Sequence, residues 1–70
     1  MKGEKKMKFA LYGQSAVTGR WIRMSENGKD CIYKSLEEAM KDTERMSNTV
    51  KVIKVKNLTT KEIVYQGNRP

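Results

Sequence analysis

The chain has 70 residues, a net charge of +7, one cysteine and no histidine, which excludes an internal disulfide and an ordinary structural zinc site. A domain this small buries only about 60% of the surface its unfolded form exposes, so one helix on one sheet is near the limit. No apolar run approaches the ~20 residues that span a bilayer, and the lone thiol and missing signal-peptide core lead to an expected cytoplasmic location.

In chain order, residues 1–6 read as a basic flexible tail, residues 7–66 as a single domain and residues 67–70 as a C-terminal tail. Met7 to Tyr12 alternates, with Met7, Phe9 and Leu11 on one face, which predicts a half-buried strand. Gly13 to Gly19 is bounded by glycine and rich in small polar residues, the chemistry of a loop. Arg20 to Ser25 and Lys29 to Lys34 are expected as strands joined through Asn27-Gly28, a pair suited to the two positive φ angles of a type I′ turn. That turn sets Glu26 opposite Lys29, Met24 opposite Cys31 and Ile22 opposite Tyr33. Ile22, Met24, Cys31 and Tyr33 then share the core face, and Trp21, Arg23, Ile32 and Lys34 the other. Cys31 is therefore expected to be a small buried hydrophobe.

Ser35 to Met46 predicts the one helix. Ser35 and Glu38 have the spacing of a capping box, and Glu37 and Glu38 suit the positive end of the helix dipole. Leu36, Ala39, Met40, Thr43 and Met46 recur on one face. Thr49 to Lys56 and Glu62 to Gln66 are two further strands. The alternation slips between Val52 and Ile53, which signals either a bulge or cover on both faces. The expected fold class is α+β: a β-β-β-α-β-β domain with an antiparallel-rich sheet and one helix packed on one face.

Chemistry is constrained by what is missing. With no histidine and no carboxylate at a partnered spacing, enzymatic activity, a metal site and a cofactor are not expected. Gly13 to Gly19 lacks the Gly-Lys-Ser/Thr ending of a phosphate loop. Charge is unevenly distributed: residues 35–47 hold four acids and two bases, a net of −2, which leaves +9 elsewhere. A polyanion should meet the strands and not the helix, unlike a reader that inserts a helix into a groove. The sheet face turned from the helix is expected to carry Tyr12, Trp21, Arg23, Ile32 and Lys34, with some of Val50, Val52, Lys54, Lys56 and Tyr65.

Rings interleaved with Lys and Arg suit single-stranded nucleic acid, bases on the rings and phosphates on the cations. The leading expectation is DNA or RNA binding, with Tyr12 and Trp21 stacking and Arg20, Arg23, Lys34, Lys54 and Lys56 on phosphates. The alternative is a protein-binding inhibitor or adaptor that uses the same face against an acidic surface, a style of protein common in phages and mobile elements. A homodimer across that face is a third reading. Gly19-Arg20-Trp21-Ile22-Arg23, Asn27-Gly28-Lys29 and Lys34-Ser35-Leu36-Glu37-Glu38-Ala39 also resemble the three-stranded-sheet-plus-helix DNA-binding domain of plant ethylene-response factors and some integrases. The resemblance implies a sheet that enters the major groove. It covers about a third of the chain, carries no site residue over, and stops short of the last two strands.

Overall fold

Leu11, Ile53 and Val55 are completely shut off from solvent, and the sheet sets them side by side on one face. The computed structural model describes residues 7–69, so the expected basic tail lies outside the described residues. Four antiparallel strands form the main sheet in the order β2-β1-β5-β6: β1 is Phe9–Ser15, β2 Trp21–Arg23, β5 Val50–Asn57 and β6 Glu62–Asn68. The short strands β3 (Ser25–Glu26) and β4 (Lys29–Asp30) pair only with each other, as a small hairpin beside that sheet. Helix α1, Leu36–Asp42, runs into a 3-10 turn at Thr43–Arg45. The expected α+β class, with one helix and a mostly antiparallel sheet, is the observed one.

The helix follows from its cap and its stripe. The Ser35 hydroxyl accepts from the Glu38 N–H at 3.2 Å, as the capping box requires. The Glu38 carboxylate reaches one residue further back than expected and accepts from the Lys34 N–H at 3.1 Å. Ala39 and Thr43 are buried, and Leu36, Met40 and Met46 pack on the core beside Leu11, Ile53 and Val55. A seven-residue helix has little stability of its own, so this docking holds it.

The expected hairpin of Arg20 to Ser25 with Lys29 to Lys34 is revised. Asn27 and Gly28 have positive φ, Glu26 pairs with Lys29, and the Cys31 N–H donates to the Met24 carbonyl, so the hairpin's register is as predicted near its turn. Beyond Cys31 the two arms part. Ile22 pairs with Gly13, whereas Tyr33 bridges to Phe9, where its ring is buried in the core and its hydroxyl reaches Asp42. Met24, Cys31 and Tyr33 reach the core as expected; Ile22 does not and is 58% exposed. The continuous three-stranded sheet implied by the resemblance to ethylene-response factors is not formed.

Two further expectations change. Gly13 to Ser15 belong to β1 and not to a loop; a Cβ on Gly13 would lie 2.7 Å from Val50 Cγ1, so glycine lets Val50 close over the strand. β5 carries a bulge, but at Lys51 and not between Val52 and Ile53, since Gly13 and Gln14 pair regularly with Ile53 and Val52 whereas Ser15 pairs with Val50. It turns both Val50 and Ile53 inward.

The C-terminal segment is not a tail. β6 continues through Gly67 and Asn68, and the Arg69 N–H donates to the Lys51 carbonyl at 2.8 Å. The Arg69 guanidinium then spans the carbonyls of Met46 (3.0 Å), Ser47 (2.7 Å) and Val50 (3.2 Å). One side chain thus fastens the last strand to the segment leaving the helix.

A polar chain next to this clamp secures the hairpin to the helix. The Tyr33 hydroxyl donates to Asp42, Arg45 pairs with Asp42 at 2.6 Å, and Arg45 also reaches Glu26 at 2.8 Å. Hairpin, helix and 3-10 turn are linked through these four residues. Burial and the Asp42 carboxylate push the Tyr33 phenol well above its ordinary pKa. For Asp42, burial alone would raise the pKa, but hydrogen bonds from Tyr33 and Arg45 overcome it and hold the carboxyl below its usual value.

Candidate nucleic-acid interface

Strand register defines the sheet face turned away from α1. Leu11 pairs with Val55 and Gly13 with Ile53 on the helix side, so the alternating residues between them point outward. One row across the sheet runs Trp21, Gln14, Val52, Asn68. The next runs Arg23, Tyr12, Lys54, Gln66, and the third Ala10, Lys56, Ile63. None of these residues is acidic.

At the centre, Lys54 Nζ lies 4.4 Å from the Trp21 ring centroid and 5.3 Å from that of Tyr12. These are cation–π distances. The lysine starts on β5, opposite Tyr12, and ends over a ring on β2, so its stem lies flat across β1. Lys54 and Lys56 make no ion pair among the described residues, whereas Arg23 lies 3.4 Å from Asp30. Tyr12, Trp21, Arg23, Lys54 and Lys56 are each partly exposed, so they present both a surface and a packed base.

Five of the seven residues singled out from sequence therefore share this face: Tyr12, Trp21, Arg23, Lys54 and Lys56. Arg20 is exposed just outside the Trp21 end of β2, and its carbonyl accepts from the Ser15 N–H. Lys34 is not brought to the cluster. It follows Tyr33, opposite Phe9, and precedes the helix cap. Five residue steps of β1, about 17 Å of strand, separate that position from the Trp21 pairing at Gln14. Ile32 likewise has no place opposite Arg23, because the hairpin arms diverge.

Of the residues of the last hairpin, Val52, Lys54 and Lys56 face outward, while Val50 and Tyr65 face the core. The bulge at Lys51 is what separates Val50 from Val52. Gln14, Gln66 and Asn68 join the face unannounced by the sequence. Gln14 was hidden by the glycine that precedes it, and Asn68 by the Gly-Asn pair that reads as a chain end.

The helix side is electrostatically different. Glu37, Glu38 and Glu44 are exposed on α1 and the 3-10 turn, and the Glu37–Lys41 pair at 3.9 Å is too solvated to contribute much. No helix among the described residues is long and apolar enough to cross a membrane. No known protein family matches the chain, and no curated protein or solved structure is similar to it.

Proposed function

We propose that the protein is a non-enzymatic module that binds nucleic acid through the outer face of its sheet. The observation that supports this reading is the clustering of Tyr12, Trp21 and Lys54, flanked by Arg23 and Lys56, on a sheet face whose own strands contribute no acidic residue, with Asp30 of the hairpin reaching Arg23 alone and no helix over it. Rings on this face accept bases, and the cations around them neutralise phosphates. The acidic helix on the far side disfavours any other approach, so the bound strand has one face to choose.

Lys54 and Lys56 lie free of carboxylates among the described residues on this face, Arg23 joins them by exchanging Asp30 for a phosphate, and Arg20 stands just beyond the Trp21 end, which makes three or four phosphate contacts. The affinity for single strands is then expected to fall with a log–log salt slope of about −2 to −3, at ~0.7 per phosphate. A binding titration across salt concentrations reads this directly, and an affinity indifferent to salt overturns the proposal.

A second reading, docking of a protein partner, is favoured by one observation. β6 is a seven-residue outer strand with no Lys, Arg or Pro, and its Ile63 and Val64 are 46% and 42% exposed. Natural edges usually carry such blocking residues; here a bulge at Val64 interrupts the ladder, and the stretch Tyr65 to Asn68 beyond it is left to accept an added strand. A protein retained after nuclease treatment, with no polymer bound, would point to this edge.

A further inference from the structure

Resting on that reading, we infer that the face takes single-stranded and not duplex polynucleotide, and that Lys54 holds the place of a base on Trp21 until a strand arrives. Three observations carry it. Lys54 Nζ sits on the two rings where a stacked base would have to lie, 4.4 Å and 5.3 Å from their centroids. No carboxylate among the described residues pairs with it, so only the ring contacts hold the charge there. Lys54 lies in the middle of β5, with β1 on one side and β6 on the other, so its backbone is fixed and only the side chain must swing.

The exchange conserves both kinds of contact. An unpaired base takes the face of Trp21, which every base can do because each has a π-face. The displaced ammonium moves to a flanking phosphate, which no longer has its counterions in place. Lys54 is thus a positioning residue that keeps the rings ordered in the free protein and becomes a phosphate contact in the bound one. A duplex offers no such trade. Its bases are stacked on one another, and only their edges and the backbone are accessible.

Nor does the fold offer a probe for a groove. The one hairpin beside the sheet, β3–β4, carries Glu26 and Asp30 against Lys29, and its acids are already engaged by Arg45 and Arg23.

Trp21 is the sole tryptophan, so its fluorescence reports on the site without labelling. The full chain is titrated with oligothymidine, oligouridine, a duplex of equal length, and inorganic polyphosphate as a polyanion without bases. Both single strands, or one of them, are expected to quench Trp21 and to bind at least about 10-fold tighter than the duplex, the scale of one base–aromatic stack. The two oligonucleotides separate DNA from RNA.

In Lys54→Met, quenching by uncharged thymidine is expected to rise, because the ring is vacant. The salt slope on the preferred oligonucleotide should become shallower by about 0.7, one phosphate fewer. Lys54→Arg is the control for folding and charge and should restore the slope. Equal affinity for duplex and single strand, or an unchanged slope in Lys54→Met, overturns this inference and leaves nucleic-acid binding standing. Polyphosphate binding as tightly as the oligonucleotides, with no quench, overturns base stacking. Failure of every probe to bind overturns the underlying reading as well.

Discussion

Replacing Arg69 with methionine is expected to lower the stability of the domain by roughly 3 kcal/mol, the scale of losing a charged group that donates to one exposed and two half-buried carbonyls at once. The guanidinium supplies three bonds, to Met46, Ser47 and Val50, and the methionine supplies none while keeping much of the stem. In a domain of this size the loss corresponds to a fall of roughly 10–20 °C in melting temperature. The effect is large because Arg69 acts where the fold is weakest. The helix is short, it ends in a 3-10 turn, and of the carbonyls leaving that turn the Ser47 carbonyl also accepts from the Val50 N–H at 3.0 Å. Lysine at this position should recover only part of the stability, since a single ammonium cannot span three carbonyls as a planar fork can. Thermal unfolding of the two variants tests the point; a change smaller than about 3 °C in Arg69→Met, under 1 kcal/mol, would mean that Arg69 is dispensable.

The second large effect concerns Asp42. Asp42→Asn should cost roughly 2 kcal/mol at neutral pH, because charge-assisted bonds from Tyr33 and Arg45 are both weakened. Its pH dependence carries more information than its size. The folded state holds the Asp42 carboxyl below its ordinary pKa, so its contribution is complete above the usual carboxylate range and disappears as pH falls through the folded value. Tyr33 runs the other way. Its phenol is raised by burial and by Asp42, so its contribution is present below the ordinary tyrosine pKa and is lost as pH rises through the folded one.

The stability difference between the native chain and Asp42→Asn is therefore expected to be flat from about pH 5 to 9 and to narrow toward both extremes. Denaturant titrations over this range check it. A difference that grows below about pH 4 would contradict the assignment of the shift.

The parts of this fold that were legible in the sequence are those whose signal is local. The Ser35 cap, the stripe from Leu36 to Met46 and the Asn27-Gly28 turn each depend on residues within a few positions of one another, and each stands as read. What was not legible depended on competition between distant partners. The turn alone pairs Ile22 with Tyr33, but each pairs with β1 instead, Ile22 with Gly13 and Tyr33 with Phe9. Gly13 looked like the start of a loop because glycine there is a packing requirement set by Val50, which lies 37 positions away in the chain.

The same distinction governs the candidate site. Alternation within β1 and β5 was enough to put Tyr12, Lys54 and Lys56 on one face. Nothing in the sequence showed that Lys54 would reach across β1 to Trp21, because that contact joins three strands. Only an extended hairpin register would put Lys34 on this face, and the arms of the hairpin part before that register reaches it. The role of Arg69 is hidden in the sequence for a related reason. A basic residue next to a terminal proline reads as solvated charge, and its partners are backbone carbonyls that no side-chain pattern reveals.

The central claim, that the face opposite the helix is the binding surface, is tested most directly by following the backbone and indole N–H resonances of the isotope-labelled chain during titration with oligothymidine or oligouridine. Shifts are expected at Tyr12, Gln14, Trp21, Lys54 and Lys56, with Glu37, Glu38 and Glu44 on the far side unmoved. Shifts concentrated on the helix or on the Asn27-Gly28 tip, with the Trp21 indole unchanged, would contradict it.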